Sequence, residues 1–278
     1  MSSMTAKRLI DCHAHIIDPA RFPFAPGPGY KPRPNEAGPK ETYCGVLDGH
    51  SVAHALLVQP SGYGYDNAAM LDAIAAHPGR FKGIAVLDPE TPERELAALA
   101  ERGVVGVRFN LVSYEPDALT RPEAARFLTR LKALGWYAQI FADDTQWPEI
   151  AEILRRSGVK VLVDHFGVRD IAAGLDQPGF QAVLRLGREG NAAVKLSAPF
   201  RISREPGTYG DLKPFAHAVI DAFGVERCVW GSDWPFINMT GGFRYAAALQ
   251  AVERWVDDAG DFDRVLSRNP MRLFGFGG

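Results

Sequence analysis

Short apolar runs rich in valine, isoleucine and aromatic residues recur along the chain, separated by longer stretches whose apolar positions fall at helical spacing. Eight such runs predict strands at residues 8–12, 54–59, 83–87, 104–109, 137–141, 160–164, 193–197 and 227–231. Helices are predicted over 66–77, 91–102, 122–134, 147–156, 180–189, 212–223 and 244–259. Thr91 reads as an N-cap with Pro92 at the first helical position, and Gly103, Gly135, Gly158 and Gly224 stand just past helix ends. Strands that alternate with helices imply a parallel sheet with right-handed crossovers. Eight units in 278 residues fit an α/β chain folded as a closed (β/α)8 TIM barrel, a single domain over 1–278. The alternative is an open doubly wound sheet. Against it, no glycine-rich dinucleotide fingerprint follows the first strand, where His13-Ala14-His15 stands instead.

Two segments break the rhythm. Residues 18–39 carry seven prolines together with Phe22, Phe24 and Tyr30, too long and Pro-rich for an ordinary βα connection. An ordered arm across the barrel mouth and a loose surface loop are the two readings; the aromatics favour the arm, since they give it something to bury. A second long loop, 198–211, contains Arg201, Arg204 and Tyr209.

Composition narrows the setting. Hydrophobic residues make up 46% and charged residues 23%, enough for a core that buries catalytic groups. A net charge of -2 with no Lys/Arg run argues against nucleic acid. No apolar run approaches the roughly 20 residues of a membrane span, and the short polar start carries no signal-peptide pattern. Three cysteines, Cys12, Cys44 and Cys228, lack ligand spacing and fit a reducing cytoplasm. Oligomeric state is not encoded in these quantities.

In an extended strand, His13 and His15 point to one side, which suits a metal ion or a pair of donors facing a carbonyl oxygen. In a barrel, chemistry collects at the C-terminal strand ends. Those ends offer Gln59 and Ser61, Asp88, Arg108 and Asn110, Gln139, His165, Lys195 and Ser197 with Arg201 nearby, and Asp233. Asp88 before Pro89 reads more simply as a helix start, Asp164 as a cap or strand-end partner, and Lys195 as inward-pointing or paired with a carboxylate. Arg108 in an apolar strand needs an anion: a substrate carboxylate, Asp164 or Asp88. His50, His54, His77 and His217 fall away from the expected mouth and read as structural.

Ile10-Asp11-Cys12-His13-Ala14-His15, Val163-Asp164-His165-Phe166-Gly167, Trp230-Gly231-Ser232-Asp233-Trp234-Pro235 and Asn269-Pro270-Met271-Arg272-Leu273-Phe274 together resemble the amidohydrolase superfamily. Phe22-Pro23-Phe24, Tyr30-Lys31-Pro32-Arg33, Val58-Gln59-Pro60-Ser61, Asp66-Asn67 and Gly106-Val107-Arg108-Phe109-Asn110 resemble its branch of lactone-acting enzymes. That branch holds the 2-pyrone-4,6-dicarboxylate lactonases, sugar lactonases and galactarolactone isomerases. The resemblance spans essentially the whole chain and implies a distorted barrel with its site at the strand ends.

The resemblance also bears on metal. Binuclear members place a lysine or glutamate on strand four and a histidine on strand five; this chain has Arg108 and Gln139, so two metals are not expected. A single divalent ion, zinc or manganese, on His13, His15, His165 and Asp233 is chemically feasible. The lactonase branch works without a required metal, so none is expected here. The chain departs from the pyrone lactonase pattern in reading Asn110-Leu111-Val112-Ser113-Tyr114 where a second arginine is usual, and Gln139-Ile140-Phe141-Ala142 where a tyrosine is. Arg108, Arg201, Ser61 and Tyr30 remain as anion-binding candidates, with Gln59, Asn110 and Gln139 as further substrate contacts.

The expectation is a hydrolase of a small carboxylated lactone. Asp233 would be general base on water, His13, His15 and His165 donors to the lactone carbonyl, and Arg108 and Arg201 the carboxylate clamp. A lactone isomerase, a metal-dependent decarboxylase and a non-enzymatic barrel are the competing readings.

Overall fold

A computed structural model describes residues 8–27 and 29–277. Residues 1–7, where the expectation of a leaderless start falls, Pro28 within the Pro-rich arm, and Gly278 lie outside the described residues. Eight parallel strands follow one another in sequence order: β1 (Leu9–Ala14), β2 (Val52–Val58), β3 (Phe81–Ala85), β4 (Val104–Asn110), β5 (Tyr137–Phe141), β6 (Lys160–Val163), β7 (Ala192–Ser197) and β8 (Cys228–Gly231). β8 returns to β1 just past its own end. There the Asp233 N–H donates to the His13 carbonyl at 2.7 Å and the His15 N–H to the Trp234 carbonyl at 2.8 Å. Gly231 makes this closure possible: a Cβ there would lie 2.5 Å from that of His13. The result is a nearly closed (β/α)8 barrel.

Helices cover the outside: α1 (Lys40–Gly49), α2 (Ala68–Ala76), α3 (Glu93–Glu101), α4 (Ala124–Ala133), α5 (Trp147–Ser157), α6 (Pro178–Glu189), the short α7 (Pro199–Ile202) and α8 (Lys213–Phe223). α1 was not expected from the pattern; it buries only Tyr43, Cys44 and Leu47 and contains Gly45 and Gly49, too weak a stripe to read. The helix expected over 244–259 is two pieces, a correction to that reading. α9 (Tyr245–Ala251) runs into a 3-10 turn, and α10 (Ala259–Asp263) starts afresh where the Asp258 carboxylate accepts the Gly260 and Asp261 N–H groups. Between them the Trp255 indole donates to the Tyr209 carbonyl at 3.1 Å. A final α11 (Asn269–Phe274) brings Phe274 against the barrel floor.

Two apolar layers hold the fold. Val107, Phe109, Ala138, Ile140, Val161, Val194 and Trp230 face the helices; Ile10, Cys12, Leu56, Val58, Ile84, Leu162 and Val229 fill the barrel's lower interior. Strand alternation therefore sends Arg108, Gln139 and Lys195 inward, above that floor. β1 breaks the alternation. Its register with β2 shifts between Asp11 and Ala14, an irregularity of the bulge kind. Cys12 packs in the floor, yet the adjacent His13 also meets inward-facing side chains, while Asp11 meets Tyr43 of α1 and Tyr245 of α9.

The arm from 18 to 39 is tied down at both sides of the mouth. Phe24 packs on Tyr63 at 5.0 Å between ring centres, the Ala25 N–H donates to the Gly62 carbonyl at 3.0 Å, and Gly38 pairs with Ile17. Gly29, at φ +104°, rides so close to Ser61 that a Cβ would sit 2.5 Å from its carbonyl oxygen.

Candidate active site

A cavity of about 310 Å³ opens at the C-terminal strand ends, within the range of small-molecule sites. Its walls include His15 after β1, Tyr30 of the arm, Ser61 after β2, Arg108 and Asn110 of β4, Phe141 of β5, His165 and Arg169 after β6, Arg201 of α7 and Asp233 after β8. Eight of the eleven residues expected at the site thus line one space. His13 does not line it; it stands behind, with Nε2 3.6 Å from Asp233 Oδ1.

Two expected substrate contacts are corrected. Gln59 is fully buried and spends its amide on the Gly64 and Asp66 carbonyls, at 3.3 and 2.6 Å, bracing the loop after β2. Gln139 is also fully buried beneath the cavity, between Lys195 and Asp164. Gln139 sits one layer too low on β5 to reach a ligand, and Gln59, next after inward-facing Val58, turns to the outside of the barrel. Asp88 is exposed and closes a turn with Glu90 and Thr91 ahead of α3, which itself starts at Glu93. Arg204 turns outward to Asp170.

Asp233 is the most crowded group. It stands on backbone at φ 62°, a left-handed conformation costly for a non-glycine residue. Arg201 Nε donates to its Oδ2, and Arg201 also donates to the Ile237 carbonyl at 2.9 Å. His15 Nε2 lies 3.5 Å from its Oδ1. Burial alone would raise the carboxyl; Arg201 and then the three histidines outweigh it and hold Asp233 well below the usual carboxylate range. It is a carboxylate at neutral pH.

His165 shares the left-handed backbone, at φ 49°. Its Nδ1 meets the Ser197 hydroxyl at 2.8 Å, and burial pushes its pKa down to about 4, so the ring is neutral at pH 7. Arg108 lies 3.8 Å from Asp164 Oδ2, donates to the Gln59 carbonyl at 3.3 Å, and keeps its Nε without a hydrogen-bond partner. Its guanidinium and that of Arg169 both stack on Phe141, 5.9 and 5.5 Å from the ring centre. Tyr30 donates to Glu36 at 2.6 Å, and the other Glu36 oxygen accepts the Asn238 N–H at 2.9 Å, so the arm is latched to the loop after β8.

Beneath the cavity Lys195, Asp164, Gln139 and His13 form a closed polar cluster, every member out of contact with water. Lys195 and Asp164 were visible in the sequence, but without strand parity their roles were ambiguous. Burial would raise the Asp164 carboxyl; Lys195 and His13 reverse this and bring it well below its usual value. His13 itself is pushed well below an ordinary imidazole, by burial and then by Lys195.

Of the four residues expected for a single metal ion, His13, His165 and Asp233 each bring a ligand atom within 4.8 Å of the others. Two cations face that trio: Arg201 on Asp233, and Lys195 3.1 Å from His13 Nδ1.

Residues 10–276 match the family model described as Amidohydrolase. The 2-pyrone-4,6-dicarboxylate hydrolase of Comamonas testosteroni is 32% identical over 276 residues, covering 95% of this chain and 89% of that protein. The 4-sulfomuconolactone hydrolase of Hydrogenophaga intermedia is 29% identical, covering 95% and 88%. A crystal structure of a probable 2-pyrone-4,6-dicarboxylic acid hydrolase from Acinetobacter baumannii, with citric acid bound, superposes with a TM-score of 0.86 at 31% identity, covering 97% of this chain and all of that one.

Proposed function

The chain belongs to the amidohydrolase family, and from that premise we propose that it hydrolyses the ester bond of a small carboxylated lactone. The observation that carries this reading is the ionised Asp233 on the same cavity as two guanidinium groups, Arg108 and Arg201. A carboxylate base and an anion clamp in one space suit water attack on a ring ester that bears a carboxylate. The two relatives named as hydrolases of a pyrone dicarboxylate and a sulfomuconolactone support the substrate class.

In the proposed reaction Asp233 takes a proton from water as its oxygen bonds to the lactone carbonyl carbon. Negative charge collects on the carbonyl oxygen. His165, neutral, donates to it through the nitrogen that Ser197 leaves free. His15 stands alongside; its Nδ1 is tied to the Val58 carbonyl at 2.7 Å, which fixes the ring's orientation. Collapse breaks the ring C–O bond, and the proton held by Asp233 passes to the departing oxygen. Arg108, Arg201 and Ser61 hold the carboxylate, with Asn110 at the rim; Tyr30 gives its one hydroxyl hydrogen to Glu36 and serves as wall. The latched arm keeps bulk water out.

No metal ion is needed in this scheme. The donor set does not suit one: the cations at His13 and Asp233 oppose a third positive charge among them. Small-molecule substrate, no nucleic-acid partner and a cytoplasmic setting complete the reading. Three free buried thiols accord with a reducing compartment, and among the described residues no helix is long and apolar enough to cross a membrane.

Hydrolysis in ¹⁸O-water tests the proposal. One labelled oxygen should enter the product carboxylate, with the rate unchanged after thorough chelation. Ring opening without label would mean acyl transfer to another hydroxyl of the substrate, and loss of activity on chelation would restore the metal-dependent reading.

A further inference from the structure

We propose that Lys195 is a positioning residue that fixes the proton of His13 on Nε2, making this imidazole a hydrogen-bond donor towards Asp233 and withdrawing it from metal ligation.

Lys195 Nζ is surrounded by Gln139 Oε1 at 2.8 Å, His13 Nδ1 at 3.1 Å and Asp164 Oδ1 at 3.2 Å. The first two contacts meet hydrogen-bond geometry and the third is an ion pair. The Gln139 amide is itself oriented by its NH2 group, which donates to Asp164 Oδ2 at 3.0 Å. Its oxygen must therefore face the lysine, and lysine must donate to it. Asp164 Oδ1 also lies 3.2 Å from His13 Nδ1, but it has no hydrogen-bond partner, whereas the Lys195–His13 contact meets hydrogen-bond geometry. Nδ1 thus accepts from the ammonium and carries no hydrogen of its own.

A neutral imidazole has one N–H. With Nδ1 accepting, the hydrogen sits on Nε2, a buried atom with no other partner that faces Asp233 Oδ1 at 3.6 Å. A nitrogen bearing hydrogen has no lone pair to offer a metal ion. His15 is the opposite case within the same motif. Its Nδ1 meets the Val58 carbonyl, which can only accept, so Nδ1 carries a hydrogen. Two histidines one residue apart thus differ at Nδ1, which accepts from a lysine in His13 and donates to a backbone carbonyl in His15.

The direct test is two-bond ¹H–¹⁵N correlation on the full chain labelled with ¹⁵N-histidine, in chelator and without substrate. His13 and His15 are assigned by the signals lost in His13→Asn and His15→Asn. The expected spectrum shows hydrogen on Nε2 for His13 and on Nδ1 for His15. Hydrogen on Nδ1 of His13 overturns the proposal. A second arm uses Lys195→Met, in which the freed Nδ1 should take the hydrogen and donate to Asp164. Zinc, measured by equilibrium dialysis, should then bind at least about tenfold more tightly than to the native chain. An unchanged His13 tautomer in that variant, or unchanged zinc affinity, would also sink the assignment. Should Lys195→Met fail to fold, the native spectrum still decides. Only the donor's use towards Asp233 rests on the hydrolase reading. Because the spectrum is taken without substrate, a failed lactone assay and a wrong tautomer are distinct outcomes.

Discussion

Asp11 and Asp233 lie on either side of the β1–β8 seam, both almost fully buried, and their carboxyls shift in opposite directions. Asp11 faces the helix layer and is wrapped by neutral donors: the Tyr43 and Tyr245 hydroxyls at 2.8 and 2.9 Å, the Ser232 hydroxyl at 2.6 Å, and the Ser232 and His13 N–H groups at 2.8 and 3.1 Å. Five hydrogen bonds do not offset its desolvation, and its pKa is raised. Asp233 faces the cavity, and the Arg201 guanidinium above all brings it down instead. Burial is common to both, so burial does not mark the reactive group. The charge of the neighbours does. Asp11 clamps the two segments that carry His13 and Asp233; Asp233 is kept ionised and open to a ligand.

The largest effect is expected at Asp233. Asp233→Asn keeps the shape of the cavity and removes the base, so turnover should fall by about 10³-fold or more, while binding of a dicarboxylate ligand persists. Paired calorimetry and single-turnover assays would show this, and near-native turnover would defeat the proposed mechanism. Asp11→Ala should do the reverse. It strands several buried donors and should cost roughly 3–5 kcal/mol of stability, with kcat per folded molecule within about threefold of native. Denaturant titration beside active-site-corrected kinetics separates the two quantities. A stable Asp11→Ala with collapsed kcat would place Asp11 in the chemistry.

How much of this was legible beforehand follows from parity. β4 and β5 alternate strictly, so Arg108 and the inward face could be read from the sequence, and the eight strands emerged within a few residues of their observed ends. What stayed hidden depends on departures from parity or on distant contacts. The irregularity in β1 turns His13 inward beside Cys12. Left-handed backbone at His165 and Asp233 aims both side chains, and no composition signal marks it. Gln139 lies on the expected strand at the wrong height, and Gln59 turns to the outer face of the barrel. The Asp11 cluster joins Tyr43 and Tyr245, which no local pattern connects.

A smaller effect sharpens the contrast between groups tuned by burial and by charge. His165 has a pKa near 4 in the fold against about 6.5 when unfolded. The unfolded chain therefore binds the proton first as pH falls. The stability that neutral His165 contributes is full above 6.5 and is lost progressively as pH drops towards 4. The free-enzyme profile, kcat/KM against pH, should show its acid limb near 4. A limb near 6.5 would mean that a solvent-like histidine controls the reaction and that His165 is not the donor.

The smallest expected change concerns the arm. Glu36 would be raised by burial, but Arg33, Tyr30 and two backbone N–H groups bring it down to about 2. Because the folded value lies below the unfolded one, the latch holds fully above the ordinary carboxylate pKa and weakens only as pH falls towards 2. Its weakening begins only where the loss of the His165 contribution is nearly complete, so the two effects meet near pH 4 and follow one another as pH falls. Glu36→Gln keeps the shape but removes the charge and turns an amide NH2 towards one of its donors. Each neutral hydrogen bond lost in this way is worth about 0.5–1.5 kcal/mol, so KM should rise roughly three- to tenfold. The rise belongs in KM because Tyr30 lines the cavity while Glu36, which does not, bonds to Tyr30, Arg33 and the loop after β8. A fall in kcat at constant KM would instead show that the arm shapes the transition state. Unchanged kinetics would show that substrate enters and is held without the latch.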